Sequence, residues 1–123
     1  VYLSLGVTYF GNKKLDMKSV RVETDKNYYD FTCDDQFDGG YDNDLKAWFD
    51  YELFDMDDET SWLNEWLAAK SVTATFTGRD GSTKTYTLTK DNLQAIRDVL
   101  NVYDTLLGSD VSTARVVLRS LVK

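Results

Sequence analysis

The sequence contains no histidine, no proline and only one cysteine, Cys33. The lack of histidine excludes Ser-His-Asp and Cys-His catalysis, imidazole zinc sites and the usual near-neutral general base. A single cysteine excludes an internal disulfide bond, and its place in the alternating stretch YYDFTC predicts a buried thiol. Without proline, the turns must depend on glycine, aspartate, asparagine and serine.

The chain also lacks any run of roughly 20 apolar residues, the length that a membrane-spanning helix needs. Its 123 residues are enough for one domain. Apolar residues make up 42% of the sequence and aromatic residues 14%, which is sufficient for a hydrophobic core. Charged residues make up 28%, which is typical of a folded soluble chain rather than a disordered one.

Positive charge is scarce in one part of the sequence. The net charge is −7, but residues 30–65 hold 13 acidic residues and a single basic one, Lys46, which gives that segment −12. The remainder holds 13 basic and 8 acidic residues and is therefore +5. Because phosphate contacts need lysine and arginine, the acidic segment is not expected to bind nucleic acid. It fits a cationic partner, a divalent cation or a role in solubility.

The first half of the chain reads as strands. Apolar and polar residues alternate over 2–11, which predicts a strand. The stretch 16–33 alternates on both sides of TDKN and is predicted to be a β-hairpin. Residues 34–44 (DDQFDGGYDND) are predicted to be an acidic loop hinged by two glycines. The stretch 46–55 is then predicted to be a further strand.

A short helix and a hairpin follow. SWLNEWLAAK (61–70) places apolar residues at helical spacing, with Thr60 or Asp58 as the predicted N-cap. The acids of DMDDE (55–59) come before its first turn and suit the helix dipole. The stretch 71–89 alternates on both sides of RDGS, whose Asp-Gly pair is typical of a tight hairpin turn.

The C-terminal part is predicted to be helical. Thr89 caps an amphipathic helix that ends at Gly108, and 109–123 is predicted to be a last helix. Together these patterns predict an α+β fold: mainly antiparallel β-sheet with a short Trp-bearing helix, a β-hairpin and two C-terminal helices. We expect a single domain over 1–108, with the helix 109–123 packed on it or on a neighbouring chain, as in a homo-oligomer.

Three stretches carry a resemblance: VRVETDKNYYDF (20–31), WLNEWLAAKSVTATFTG (62–78) and YTLTKDNLQAIRDVLNVY (86–103). Their order resembles that of uncharacterised secreted or membrane-anchored bacterial α+β domains of unknown function, over roughly residues 3–105. The resemblance implies an extracellular or cell-surface location in a bacterium. It implies very little about activity, because such domains have no known catalytic signature, and apart from calcium no cofactor is expected.

The acidic loop is a candidate calcium site. Calcium takes six to eight oxygen ligands, and Asp34, Asp38 and Asp42 fall at the first, fifth and ninth positions of an EF-hand count. The twelfth position, where an EF-hand has a bidentate glutamate, is Leu45, so a true EF-hand is not expected. Another kind of loop-borne calcium site and a solvated loop without metal both remain open.

The aromatic residues indicate a binding face. Eight of the seventeen aromatics, including all three tryptophans, lie within residues 37–66. Trp48 is predicted to face solvent, because it shares a strand face with two acids. The predicted binding face consists of Trp48, Asp50, Tyr51, Glu52 and Tyr41. These observations favour a non-catalytic domain that acts through residues 34–54, either by binding a protein, for which the negative charge favours a basic one, or in a structural role.

Three alternatives remain open. A carbohydrate- or calcium-binding module would use Trp48, Tyr51 and the loop aspartates. A small carboxylate-dependent hydrolase would use Asp50 and Glu52, which are about 7 Å apart along a strand. An acidic mimic of nucleic acid would occupy the groove of a basic protein.

The basic residues of the tail suggest a separate contact. Arg115, Arg119 and Lys123 are spaced by four, which would place three cations on one face of a C-terminal helix. Such a face suits phosphate or an anionic membrane surface, or is an ordinary solvent face.

Overall fold

A computed structural model describes residues 2–33, 39–106 and 113–121. The elements are, in chain order, β1 (Tyr2–Gly11), β2 (Met17–Thr24), β3 (Tyr28–Thr32), β4 (Gly39–Asp42), β5 (Ala47–Asp55), α1 (Thr60–Ala68), β6 (Val72–Gly78), β7 (Thr83–Thr87), α2 (Lys90–Leu106) and β8 (Thr113–Leu121). The mainly antiparallel α+β class predicted from the sequence is confirmed.

The strands form two four-stranded sheets. The first sheet has the order β4-β5-β1-β8 and the second the order β3-β2-β6-β7. All described strand pairs are antiparallel except β1 with β8, which run parallel. Both predicted hairpins are present, as β2–β3 and β6–β7. The second hairpin turns at Gly81, whose φ of 88° is readily adopted only by glycine.

The two sheets face each other across the core. Alternation along β1 places Leu3, Leu5, Val7 and Tyr9 on the inner face, each no more than 2% exposed. The ring of Tyr9 lies 6.2 Å from that of Phe76 in the second sheet. These contacts place the period-two apolar residues of both sheets in one hydrophobic core.

The helices contribute to the same core. Leu63 and Trp66 of α1 are fully buried. Ile96, Leu100 and Tyr103 form the buried stripe of α2, as their spacing predicts. In the described part of the chain, neither helix has the length and apolar character that crossing a membrane requires.

Helix starts were predicted with mixed success. The cap at Thr89 is confirmed, because its Oγ1 accepts a hydrogen bond from the backbone N–H of Asn92 (3.2 Å). The cap at Thr60 or Asp58 is wrong: the N-cap of α1 is Glu59, which makes no side-chain cap hydrogen bond.

The prediction of a last helix over 109–123 is wrong for the described residues 113–121. This segment is the strand β8, paired with β1 from Tyr2↔Thr113 to Phe10↔Leu121. Pairing on both edges makes β1 a central strand, and the valine-rich sequence of β8 suits a sheet. A helix of this length is marginal by itself, so the pairing with β1 decides the conformation.

The prediction of a continuous loop over 34–44 is wrong in part. Gly39–Asp42 forms β4, which pairs with β5 from Gly39↔Asp50 to Asp42↔Ala47. Cys33 is buried, as predicted, at the end of β3.

Candidate functional site

The predicted binding residues lie mainly on β5. Trp48, Asp50, Glu52 and Phe54 do share one face, but that face points toward the second sheet rather than into solvent. Their partners on β1 are Gly11, Tyr9, Val7 and Leu5 respectively, which line the inner face of the first sheet. The expectation that this face is turned outward is therefore wrong, although both its ends reach the surface.

Asp50 is the buried member of the predicted face. Its side chain is only 2% exposed, and Oδ2 accepts a hydrogen bond from the backbone N–H of Met17 (2.8 Å). Oδ1 has no hydrogen-bond partner among the described residues. Burial is the main cause that raises the pKa of Asp50, and the charge of Asp16 adds to it. Asp50 is therefore not part of a solvent-facing binding surface.

Trp48 and Tyr41 form an aromatic pair at the outer end of this face. They are directly opposite each other on β5 and β4, and their rings meet edge to face at 5.4 Å. Tyr41 is 47% exposed and Trp48 is half-buried. The structure thus brings two residues of the predicted binding face into contact.

Tyr51 lies on the opposite face of β5 from Trp48. It lines a groove of about 270 Å³ on the outer side of the first sheet, together with Thr8, Phe10, Asp42 and Phe49. The predicted face is thus divided between the two sides of one strand, and Trp48 and Tyr51 do not form a common platform.

A second groove contains several acidic residues of the segment 30–65. It lies between β3 and the C-terminal half of β5, has a volume of about 370 Å³, and reaches the start of α1. We call it the acidic aromatic groove; it is lined by Asp30, Phe31, Thr32, Glu52, Leu53, Phe54, Asp55, Glu59 and Trp62. Four of these side chains are carboxylates.

Aromatic rings from three elements form the floor of the acidic aromatic groove. The ring of Phe31 lies 4.9 Å from that of Phe54 and 5.6 Å from that of Trp62, the latter edge to face. Because β3, β5 and α1 each supply one ring, the floor joins both sheets and a helix. Rigid aromatic rings beside charged groups are common features of binding surfaces.

One wall of the groove carries an ion pair. Arg21 donates to both carboxylate oxygens of Asp30, at 2.7 and 2.9 Å, and these hydrogen bonds lower the pKa of Asp30. The guanidinium also lies 4.3 Å from the ring centre of Tyr28. The structure thus shows at one point how a guanidinium fits beside a carboxylate and an aromatic ring on this edge of the domain.

Asp57, one of the DMDDE acids predicted to suit the helix dipole, also makes two long-range hydrogen bonds. Its Oδ1 accepts a hydrogen bond from the backbone N–H of Leu3 and lies 3.4 Å from the hydroxyl of Tyr103, which donates to it. This carboxylate therefore connects the start of β1 with α2. No sequence signal indicated this pairing over more than forty residues.

The hydrolase alternative needs Asp50 and Glu52 in one cleft. Glu52 lines the acidic aromatic groove, but Asp50 is not among its lining residues and is buried beside the β1–β2 connection. The two side chains share a strand face without opening into a common site. The geometry therefore gives this pair no support as an acid and base acting on one substrate.

The calcium site falls mostly outside the described residues, because Asp34 and Asp38 are not among them. The third predicted ligand, Asp42, accepts hydrogen bonds at Oδ1 from the N–H groups of Asp44 and Leu45, both at 2.9 Å. Among residues 2–33, 39–106 and 113–121, no three acidic or cysteine side chains are grouped so as to hold a metal. Calcium binding stays a prediction.

The contact predicted for the basic residues of the tail required a C-terminal helix, but residues 113–121 form a strand. Arg115 and Arg119 belong to β8, and Lys123 lies outside the described residues. An oligomer contact through a C-terminal helix therefore has no basis in 113–121, which pairs with β1 of the same chain.

Comparisons with protein-family models, curated proteins and solved structures found no match. The resemblance to secreted or membrane-anchored bacterial domains, and the location that it implies, stay predictions.

Proposed function

We propose that this chain is a non-catalytic binding domain that takes a basic segment of a partner protein into the acidic aromatic groove. The observation that carries the proposal is the combination of three carboxylates, Glu52, Asp55 and Glu59, with the ion-paired Asp30 and an aromatic floor in one groove. The proposed partner is still the basic one predicted from the charge of residues 30–65. The proposed contact, however, lies at the C-terminal half of β5 rather than beside the turn between β4 and β5.

Charge and shape both favour a cationic segment. Carboxylates attract lysine and arginine, and an aromatic face gains a further attraction for a cation within about 6 Å. Arginine satisfies both features, since its planar guanidinium pairs with a carboxylate and stacks on a ring. The surrounding acidic segment would also speed the approach of a basic partner at low salt.

A charge-matched pair of variants tests the proposal. The groove variant carries Glu52→Gln, Asp55→Asn and Glu59→Gln; the control carries Asp91→Asn, Asp98→Asn and Asp104→Asn on α2. Both lose three negative charges, so their net charges are equal. The probe is a decamer of arginine, with a decamer of glutamate as the negative probe, titrated by calorimetry at low and at physiological salt.

We expect the groove variant to bind decaarginine about tenfold more weakly than the unmodified chain. This corresponds to about 0.5 kcal/mol for each of three solvent-screened ion pairs. The α2 control should change the Kd by no more than about twofold. Equal weakening in both variants would mean that net charge alone attracts the probe, and would contradict a groove site.

A carbohydrate-binding module is the second candidate, and the pair Tyr41–Trp48 favours it. An exposed ring beside a half-buried one is a suitable edge for stacking a sugar ring. Cellohexaose at millimolar concentration should then change the tryptophan fluorescence of the chain but not that of Trp48→Ala. An unchanged spectrum in the unmodified chain contradicts this candidate for that sugar.

A further inference from the structure

The connection between β1 and β2 is held from both sheets. The carboxylate of Asp50, on β5, accepts the N–H of Met17 at 2.8 Å. On the other side, the backbone oxygen of Asp16 accepts the N–H of Arg79 (3.0 Å), and the Arg79 Nε lies 3.4 Å from Asp16 Oδ1. The connection therefore closes one end of the space between the sheets.

The contact with the first sheet depends on an unusual carboxyl group. Asp50 is 2% exposed, and its Oδ1 has no hydrogen-bond partner in the described part of the chain. A buried carboxylate with an unpaired oxygen is costly in the ionised form and far less so when protonated. Among the described residues, the site thus provides one hydrogen-bond donor to the Asp50 carboxyl group, at Oδ2, but none to Oδ1 that would stabilise the ionised form.

The groups that act on Asp50 come from β1, from the β1–β2 connection and from the start of β2; on its other side, β4 places Gly39, which has no side chain, opposite it. Tyr9, directly opposite on β1, is a buried phenol whose own pKa is raised by burial and then by Asp50. The hydrogen bond from the N–H of Met17, the first residue of β2, lowers the pKa of Asp50. From the connection, the charge of Asp16 raises this pKa, while the charge of Lys14 and the nearby backbone N–H of Asp16 lower it. Burial outweighs the lowering contributions, and the direction for Asp50 is upward from 3.8.

We propose that Asp50 is a proton-dependent clamp: its protonated carboxyl holds the β1–β2 connection on the first sheet, and loss of the proton favours release of the connection. Release would uncover this end of the core next to Trp48, without unfolding the sheets. The clamp is independent of the binding function proposed for the acidic aromatic groove.

Linkage gives the sign of the effect. In the released form Asp50 meets water and has an ordinary pKa, so the held form binds the proton more tightly. The held form is fully favoured below the ordinary value of 3.8 and loses this advantage as the pH rises through the raised pKa. Between these two values the ratio of released to held form rises tenfold per pH unit, and above the raised value it is constant.

Amide hydrogen exchange measured between pH 4 and pH 8 tests the clamp. The probe is the N–H of Met17, expressed as a protection factor so that the intrinsic pH dependence of exchange is removed. We expect the protection factor of Met17 to fall as the pH rises. The midpoint of this fall should lie above 3.8 and should agree with the midpoint at which the chemical shift of the Asp50 carboxyl carbon titrates. The protection of Val22 and Leu5, in the sheets, should stay constant.

Two variants complete the test. Asp50→Asn cannot lose a proton, so the protection of Met17 should become independent of pH; Asp42→Asn, at the end of β4, should leave it pH-dependent. Protection that falls equally at Met17, Val22 and Leu5 would mean global loosening and would overturn the clamp. So would a carboxyl midpoint at or below 3.8 in the unmodified chain, a measurement that decides the matter even if Asp50→Asn does not fold.

Discussion

Replacing Phe31 by alanine tests how the floor of the acidic aromatic groove is built. The Phe31 ring is 7% exposed and contacts Phe54 from the first sheet and Trp62 and Trp66 from α1, with ring centres at 4.9, 5.6 and 6.1 Å. The side chain therefore holds three elements together. Its removal leaves a cavity that none of these elements can fill without moving.

We expect Phe31→Ala to lower the free energy of unfolding by about 4 kcal/mol, within the usual range for a buried phenylalanine. A domain with 5–15 kcal/mol of stability then remains folded, but much closer to its limit. The matched control is Phe10→Ala: Phe10 is half-buried on the outer face and has a ring contact with Phe49 at 6.2 Å. That change should cost only about 1 kcal/mol.

Urea unfolding, followed by circular dichroism and tryptophan fluorescence, measures both variants. In a double-mutant cycle with Phe54→Ala, the Phe31–Phe54 pair should show a coupling of about 1 kcal/mol. A loss for Phe31→Ala no larger than for Phe10→Ala, or a coupling of zero, would refute the account of a floor shared by the two sheets.

Two further predictions concern α2 and the acidic loop. Thr89→Ala should lower the free energy of unfolding by about 1 kcal/mol in urea titrations, because the cap on the N–H of Asn92 is lost, whereas Thr89→Ser should keep most of it; equal losses would speak against the cap. If loop 34–44 holds calcium, calcium at a hundredfold excess over Kd should add about 2.7 kcal/mol of stability and raise the Tm by several degrees over that in EDTA, and an unchanged Tm would contradict the calcium hypothesis.

Local periodicity was sufficient to predict much of the fold. The alternation in 2–11, the turns TDKN and RDGS, and the helical stripe of Ile96, Leu100 and Tyr103 are short-range signals, and each corresponds to an element of the structure. For 113–121 the apolar residues fit a helical stripe as well as a strand. The choice depends on β1, more than one hundred residues away in sequence, so it was not available from local spacing.

The candidate site was only partly predictable for a related reason. Alternation shows that Trp48, Asp50 and Glu52 share a face, but both faces of β5 are rich in aromatic residues, so it does not show which one points inward. The acidic aromatic groove also needs Asp30 and Glu59, which the packing of the two sheets and of α1 brings near Glu52. Their shared acidic character was visible in the sequence, but their grouping was not.

Mapping the binding of decaarginine by backbone amide chemical shifts tests the central claim most directly. We expect the largest changes at Asp30, Glu52 and Glu59 and at the indole N–H of Trp62, with little change along α2. Changes centred on the acids of α2, or spread evenly over the surface, would contradict the assignment of the acidic aromatic groove as the binding site.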